Sequence, residues 1–347
     1  MGAAGLVVII LIAACGPVAP ADRPLTPTTA ADTPRPSPTV APATPTMTGT
    51  PPAAATATPP PSPTSARTAT PTRARATAVP TATATPAPTF TPPPLPPSLA
   101  GEHLWLRRPV ADDPMWTDKS YPYGSTRGGA LRPHTGVEFG VATGTPVLAA
   151  AGGTVVAAGD DSQIAYGPQT NFYGNLVIVQ TKSEDGSSIY TLYGHLSEVH
   201  VAVSQTVAAG DVLGLSGASG VADGPHLHFE VRAGANSYEA TRNPLLWLLP
   251  LPSTGIVAGR IIGPGGELLA EAPITLERVD APAPYTATTS YALGEPNADG
   301  ALGENFAVDD VVPGFYEAVV DTGRHRYTAE VWVYPGRVNW VEIVVGG

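Results

Sequence analysis

Seven histidines are scattered along a chain of 347 residues, and four of them stand where an imidazole could do chemistry. His226 and His228 are two apart in Gly224-Pro225-His226-Leu227-His228-Phe229-Glu230-Val231. In a strand, alternation puts both rings on one face and Leu227 and Phe229 on the other. With backbones about 6.6 Å apart, they can serve as two metal ligands, or as one ligand beside an acid/base group. His134 and Glu138 bracket Thr135-Gly136-Val137. A straight strand would hold them about 13 Å apart, too far to share one ion, so the reading requires a bend, and Gly136 is where the chain could make it. The remaining candidate is His195, in Leu192-Tyr193-Gly194-His195-Leu196. His103, His200 and His325 lack such company and read as hydrogen-bonded or exposed residues. Tyr190 and Tyr193 read as packing aromatics, Tyr173 as a candidate for touching substrate, and Glu230 either as an acceptor orienting a histidine or as a solvent-facing residue.

The elements that must position these residues are short runs of Val, Ile, Leu and Tyr separated by glycine, with little helical periodicity. Examples are Pro146-Val147-Leu148-Ala149-Ala150, Asn175-Leu176-Val177-Ile178-Val179-Gln180 and Ile189-Tyr190-Thr191-Leu192-Tyr193. This pattern predicts an all-β chain whose residues 101–250 form an antiparallel sheet domain. After Pro250-Leu251-Pro252-Ser253-Thr254-Gly255, residues 253–347 alternate polar and apolar positions as a small β-sandwich does. No catalytic constellation is visible there. Asp309-Asp310 reads as a solvated acidic turn rather than a calcium site, because few oxygen ligands are near it in sequence.

Residues 1–100 read differently. They hold 24 of the 41 Pro and one of the 23 aromatics, Phe90. Such a segment cannot bury enough apolar surface to offset the entropy of ordering, so residues 16–100 read as a disordered Pro/Thr/Ala-rich linker of polyproline II character. Five Arg against Asp22 and Asp32 make this part basic, whereas the remainder carries 13 Lys+Arg against 27 Asp+Glu. An acidic folded part excludes nucleic acid as the expected partner. One cysteine excludes a disulfide framework, a four-cysteine zinc site and an iron–sulfur cluster.

The histidine text resembles the lysostaphin-type zinc endopeptidases, which cut peptide bonds in bacterial cell-wall peptidoglycan. The matching landmarks, in the family's order, are His134-x-Gly136-Val137-Glu138, Gly144-Thr145-Pro146-Val147, Tyr193-Gly194-His195-Leu196, and Gly217-Ala218-Ser219-Gly220 leading to Gly224-Pro225-His226-Leu227-His228-Phe229-Glu230. The resemblance spans about residues 131–248. It implies that His134, Glu138 and His228 bind Zn2+, and that His195 and His226 act beside the bound water and the scissile carbonyl. Glu138 stands where the family's usual residue is Asp; it still offers a carboxylate oxygen, displaced by one methylene. The implied function is a peptidoglycan endopeptidase. The alternative is a non-catalytic relative that binds peptidoglycan or activates another wall hydrolase.

Two further resemblances complete the expectation. Residues 1–15 join the apolar run Leu6–Ala14 to Cys15, and Ile12-Ala13-Ala14-Cys15-Gly16 resembles the lipobox of bacterial lipoproteins. That implies a lipid anchor at Cys15, an extracytoplasmic place in the cell envelope, and a long spacer between membrane and enzyme. Gly263-Pro264-Gly265-Gly266 and Val312-Pro313-Gly314-Phe315-Tyr316 resemble the carboxypeptidase regulatory-like sandwiches. The working expectation for residues 253–347 is a wall- or protein-binding accessory module.

Overall fold

The computed structural model describes residues 90–111 and 115–346. Cys15, its expected lipid anchor and most of the expected linker lie outside them. The described chain is built on strands, with no α-helix and two short 3-10 turns, Tyr238–Ala240 and Pro244–Leu246.

The first layer is a nine-stranded sheet. Its main path runs β1 (Val137–Phe139), β8 (Leu227–Ala233), β5 (Ser188–Val199), β4 (Asn175–Lys182), β3 (Gly153–Asp160) and β6 (Thr206–Val207), while β2 (Pro146–Leu148), β7 (Val212–Ser216) and β9 (Thr241–Arg242) pair off this path. Every pairing in it is antiparallel. Central strand β4 is an unbroken apolar run because both its faces are covered: Val177 and Val179 join one buried cluster, Leu176 and Ile178 another. The second region is a sandwich of a three-stranded sheet, β13 (Phe306–Val311), β10 (Gly255–Ile262) and β16 (Val338–Val344), and a four-stranded sheet, β12 (Thr286–Thr289), β11 (Pro273–Arg278), β14 (Gly314–Asp321) and β15 (Arg326–Val333). One pairing in it, β10 with β16, is parallel.

These two regions share a core. Phe139, Leu246 and Trp247 from one side and Ile256, Ala258, Ala307 and Val338 from the other belong to a single buried apolar cluster. A strap, residues 104–111 and 115–120, runs along the seam. Within it Arg108 donates through Nη2 to Asp309 Oδ2 at 3.1 Å and to Asp310 Oδ1 at 2.7 Å, Thr117 donates to Asp309 Oδ1 at 2.9 Å, and Lys119 pairs with the same oxygen. Asp309-Asp310 is therefore a buried partner of the strap and not the solvated turn expected from sequence. The two acids were legible, but the basic residues that neutralise them lie about 200 positions away. Residues 90–100, expected to belong to the disordered linker, lie against the sandwich. Phe90 packs on Phe315 with ring centres 5.4 Å apart, and Arg337 donates to Pro96 O and Pro97 O at 2.6 Å. Proline keeps its carbonyl as an acceptor, so a Pro-rich segment can be tied down through its oxygens alone.

Candidate metal centre

Register brings the first two expected ligands together. In the antiparallel pair β1–β8, Glu138 lies directly opposite His228, and cross-strand neighbours point to the same face. His134 enters from the loop before β1, where its N–H donates to Ser125 O at 3.0 Å and its C=O accepts from Gly124 N at 2.7 Å. One ligand atom from each of His134, Glu138 and His228 lies within 4.8 Å of the others. The chain bends at Gly136, as expected, and the glycine also permits close approach. A Cβ there would fall 2.5 Å from Phe229 O and 2.8 Å from the His228 ring, so only glycine lets β1 lie against the ligand.

Each imidazole has one nitrogen committed to an acceptor. His134 donates from Nδ1 to Tyr121 O at 2.6 Å, and His228 donates from Nε2 to Glu230 Oε1 at 3.2 Å. The lone pairs left over, on His134 Nε2 and His228 Nδ1, face each other at 3.2 Å, with Glu138 Oε1 3.6 Å from His134 Nε2. Two lone pairs and a carboxylate oxygen converging this way repel unless a cation stands between them. Ligand atoms about 2.0–2.2 Å from a tetrahedral zinc stand roughly 3.4 Å apart, so the donor set fits that ion in both chemistry and spacing. With its extra methylene, Glu138 still brings an oxygen within 4.8 Å of both nitrogens.

His195 and His226 repeat the pattern beside this group. His195 donates from Nδ1 to Ser219 O at 2.7 Å and His226 from Nδ1 to Gly224 O at 2.9 Å, leaving both Nε2 atoms as acceptors. The His195 ring lies 4.8 Å from His226 and 5.7 Å from His228, and His226 Nε2 is 3.7 Å from Glu138 Oε1. His195 holds φ at 61°, a conformation rare for a residue with a Cβ, and its N–H donates to Tyr173 O at 2.9 Å. Strain of this kind persists where the surroundings over-determine it, here to aim the ring. Burial, then the neighbouring His228 and His226, push the His195 pKa down to about 3. Burial first and His228 second hold His134 well below the usual imidazole range. Both rings are therefore neutral at physiological pH, the state in which imidazole ligates or accepts a proton.

Glu230 is the acceptor of the pair of readings given to it, and it is fully buried. Besides His228 it accepts from Thr135 Oγ1 at 2.7 Å, Tyr173 Oη at 2.6 Å and Arg232 Nε at 2.9 Å. Burial alone would raise its pKa, but the Arg232 guanidinium and the hydrogen bonds from His228 and Tyr173 outweigh that and hold it well below the carboxylate range. A charged Glu230 fixes the His228 tautomer and raises the basicity of its ligating nitrogen. Tyr173 thus belongs to the support of the centre, fully buried, and does not touch substrate. Arg232 was missed, although its place two residues after Glu230, on the same strand face, was the available signal. Tyr121 was missed as well; it stacks on His134 with ring centres 4.2 Å apart and 5° between planes.

A groove of about 400 Å³ opens over the centre, between Tyr121, Leu131 and Arg132 on one wall and Phe172, Val221 and His226 on the other. The first wall is keyed into the sandwich. Tyr123 packs edge-on against Tyr291 at 5.1 Å and accepts from Asn297 N at 3.0 Å, Thr126 donates to Glu271, and Arg132 donates to Glu295 at 2.6 Å. Asp118 N donates to Glu138 O at 2.8 Å, between the two strap residues, Thr117 and Lys119, that grip Asp309.

A β-sheet that converges two imidazoles and a carboxylate at the foot of a groove, with two more imidazoles alongside, has the composition of a metallopeptidase centre. Residues 132–240 match the family described as Peptidase family M23, and the chain carries a lysostaphin-type domain of that family. An uncharacterized metalloprotease of Haemophilus influenzae is 38% identical over 130 residues, covering 38% of this chain and 24% of that protein. The peptidoglycan DD-endopeptidase ShyA of Vibrio cholerae is 36% identical over 101 residues, covering 29% of this chain and 20% of that protein. The solved catalytic domain of lysostaphin from Staphylococcus simulans is 32% identical over 37% of this chain and 86% of that one, with a TM-score of 0.29. The chain spans a quarter or less of the length of these two curated relatives.

Proposed function

We propose that this chain is a zinc-dependent endopeptidase that hydrolyses peptide bonds of bacterial cell-wall peptidoglycan, held at the cell envelope by a lipid on Cys15. The observation that carries the proposal is the convergence of the His134 and His228 lone pairs on Glu138, each nitrogen freed by a hydrogen bond on the far side of its ring. Relatives named as metalloprotease and peptidoglycan endopeptidase support the substrate class.

His134 Nε2, His228 Nδ1 and Glu138 would hold the ion, leaving one tetrahedral position open. When bound there, zinc supplies polarisation of a carbonyl and a water of lowered pKa. The chain's own residues do the rest. Hydrolysis adds OH to the carbonyl carbon and a proton to the departing amine, so a group must take a proton from water and deliver it to nitrogen. His226 Nε2, 3.7 Å from Glu138 Oε1 and left free by the Nδ1 hydrogen bond to Gly224 O, is placed to carry that proton. His195, neutral and with Nδ1–H fixed on Ser219 O, holds its Nε2 toward the same space as an acceptor. Tyr121 and Arg132 on one wall, and Phe172 on the other, seat the peptide. The linker gives the enzyme reach from the membrane into the wall.

The test is digestion of purified peptidoglycan by the full chain, read as new amino groups released. Wild-type protein is expected to release them and to stop on chelation, and His228→Ala is expected to fall to background. Undiminished release by His228→Ala overturns the proposal. Retained binding to the wall with no release by the wild type would instead identify the non-catalytic relative.

A further inference from the structure

The connection from β3 to β4, residues 161–174, carries no strand of its own. Connections of about 12 residues or more without secondary structure are uncommon in compact domains and usually functional. Asp161 opens this one, and it is fully buried. At the far end, the successive N–H groups of Phe172, Tyr173 and Gly174 close around its carboxylate. The first two donate to Oδ2 at 2.9 and 2.8 Å, and the third donates to Oδ1 at 3.1 Å. Gly174 holds φ at 67°, which curls these N–H groups into a concave nest of the kind that suits an anion. The backbone adds two more ties: Asp161 N donates to Gly174 O at 3.0 Å, and Asp161 O accepts from Asn171 N at 3.1 Å. Among the described residues no cation pairs with Asp161, so backbone N–H groups alone satisfy the buried carboxylate.

The carbonyls of the same turn point the other way. Tyr173 O accepts from His195 N at 2.9 Å, and Phe172 O accepts from Val221 N at 2.8 Å. A Cβ on Gly174 would fall 2.4 Å from Gly220 N, and one on Gly220 would fall 2.5 Å from Phe172 O, so the two loops meet backbone to backbone. Asn175 N closes the clasp by donating to Ser219 Oγ at 2.9 Å, and that hydroxyl donates to Leu196 O at 2.8 Å. His195 is gripped twice by this assembly, its N–H by Tyr173 O and its Nδ1–H by Ser219 O at 2.7 Å. A residue held at a φ of 61° keeps that strained conformation only where such bonds over-determine it.

We infer that Asp161 is a positioning residue: its carboxylate fixes the 172–174 turn and, through it, the aim of the His195 ring and the groove wall formed by Phe172 and Val221. The expected zinc ligands stand outside this clasp. His134 and Glu138 come from the loop before β1 and from β1 itself, and His228 comes from β8. The effect of Asp161 on turnover rests on the peptidase reading, whereas its hold on the His195 ring does not.

The test is Asp161→Asn in the full chain. The amide keeps one acceptor oxygen for Phe172 N and Tyr173 N but turns an N–H donor toward Gly174 N. In NMR spectra the His195 Nδ1–H proton, identified by its absence in His195→Gln, is expected to give a signal in the wild type and to lose it to exchange with water in Asp161→Asn. The His134 Nδ1–H signal, held on Tyr121 O, is expected to persist, as is one zinc per chain. Release of amino groups from peptidoglycan is expected to fall about tenfold, and about a hundredfold in Asp161→Ala, which removes both oxygens. Where Asp161→Ala does not fold, Asp161→Asn decides. An unchanged His195 signal in Asp161→Asn, or loss of the His134 signal or the zinc along with it, overturns the inference. So does undiminished release by a chain whose His195 signal is gone. A wild type that releases nothing defeats the peptidase reading instead, and the two imidazole signals still decide the role of Asp161.

Discussion

On the nine-stranded sheet, four histidines form a chain of close rings, His134 to His228 at 5.1 Å, His228 to His195 at 5.7 Å and His195 to His226 at 4.8 Å, each presenting an acceptor nitrogen to a shared space. The sandwich gathers no such group among the described residues. It buries an ion-pair cluster, Asp309 and Asp310 against Arg108 and Lys119. Imidazole nitrogens open to one shared space mark the region that does chemistry, and the closed ion-pair cluster helps to hold it still. The closed set still bears on the open one. Asp309 grips Thr117 and Lys119, and Asp118 between them donates to the backbone of the ligand Glu138. Tyr291, Asn297, Glu271 and Glu295 fix the loop that carries His134 and one wall of the groove. The sandwich is therefore part of the metal centre's scaffold.

The sharpest way to break this comparison is Asp309→Ala. It leaves Arg108 and Lys119 facing Asp310 alone, and removing one partner of a buried ion pair costs about 3–5 kcal/mol. Chemical denaturation should show a loss of that size, with weaker zinc binding in protein that remains folded. Unchanged zinc affinity would separate the sandwich from the centre. Glu230→Gln comes next. Loss of the charge that orients His228 should weaken zinc binding about 10–100-fold while leaving the three ligands in place, measured by competition with a chromogenic chelator.

The smallest effect concerns pH. Burial pushes the Glu304 carboxyl up to about 7 from an ordinary 4.5, although it accepts from Tyr291 Oη at 2.9 Å and Asp299 N at 3.0 Å. The folded protein thus holds this proton more tightly than the unfolded one. The contribution is fully present below pH 4.5 and is lost as pH rises through 7. Glu304→Gln, which cannot ionise, should remove that decline and stabilise the protein at pH 8 by about 1–3 kcal/mol relative to pH 4.5. Denaturation curves at the two pH values check it; an unchanged decline in Glu304→Gln would place the titrating group elsewhere.

The histidine pattern was legible because the chemistry is local. Two residues apart on a strand is enough to put His226 and His228 on one face, and Gly136 stood where the chain bends, though its close approach to the His228 ring was not legible. The all-β class followed from alternation and glycine-punctuated apolar runs such as β4. Long-range neutralisation was not legible. Nothing near Asp309 in sequence announces Arg108, and nothing near His134 announces that Tyr121 covers its ring while Tyr123 two residues on reaches Tyr291. For the same reason residues 253–347 read as a separable accessory module, although Ile256, Ala258 and Val338 share a core with Phe139 and Trp247. Residues 90–100 read as linker from their composition, and their anchoring depends on Arg337, whose guanidinium no feature of the proline text could foretell.

The central claim is that the His134 and His228 nitrogens close on one cation together with Glu138. Zinc content after dialysis of the full chain against a metal-buffered solution measures it directly. The account predicts one zinc per wild-type chain and none in His134→Ala or His228→Ala, with Glu138→Gln weakened. A wild-type chain that emerges without zinc, or a His228→Ala chain that keeps a full equivalent, would contradict it.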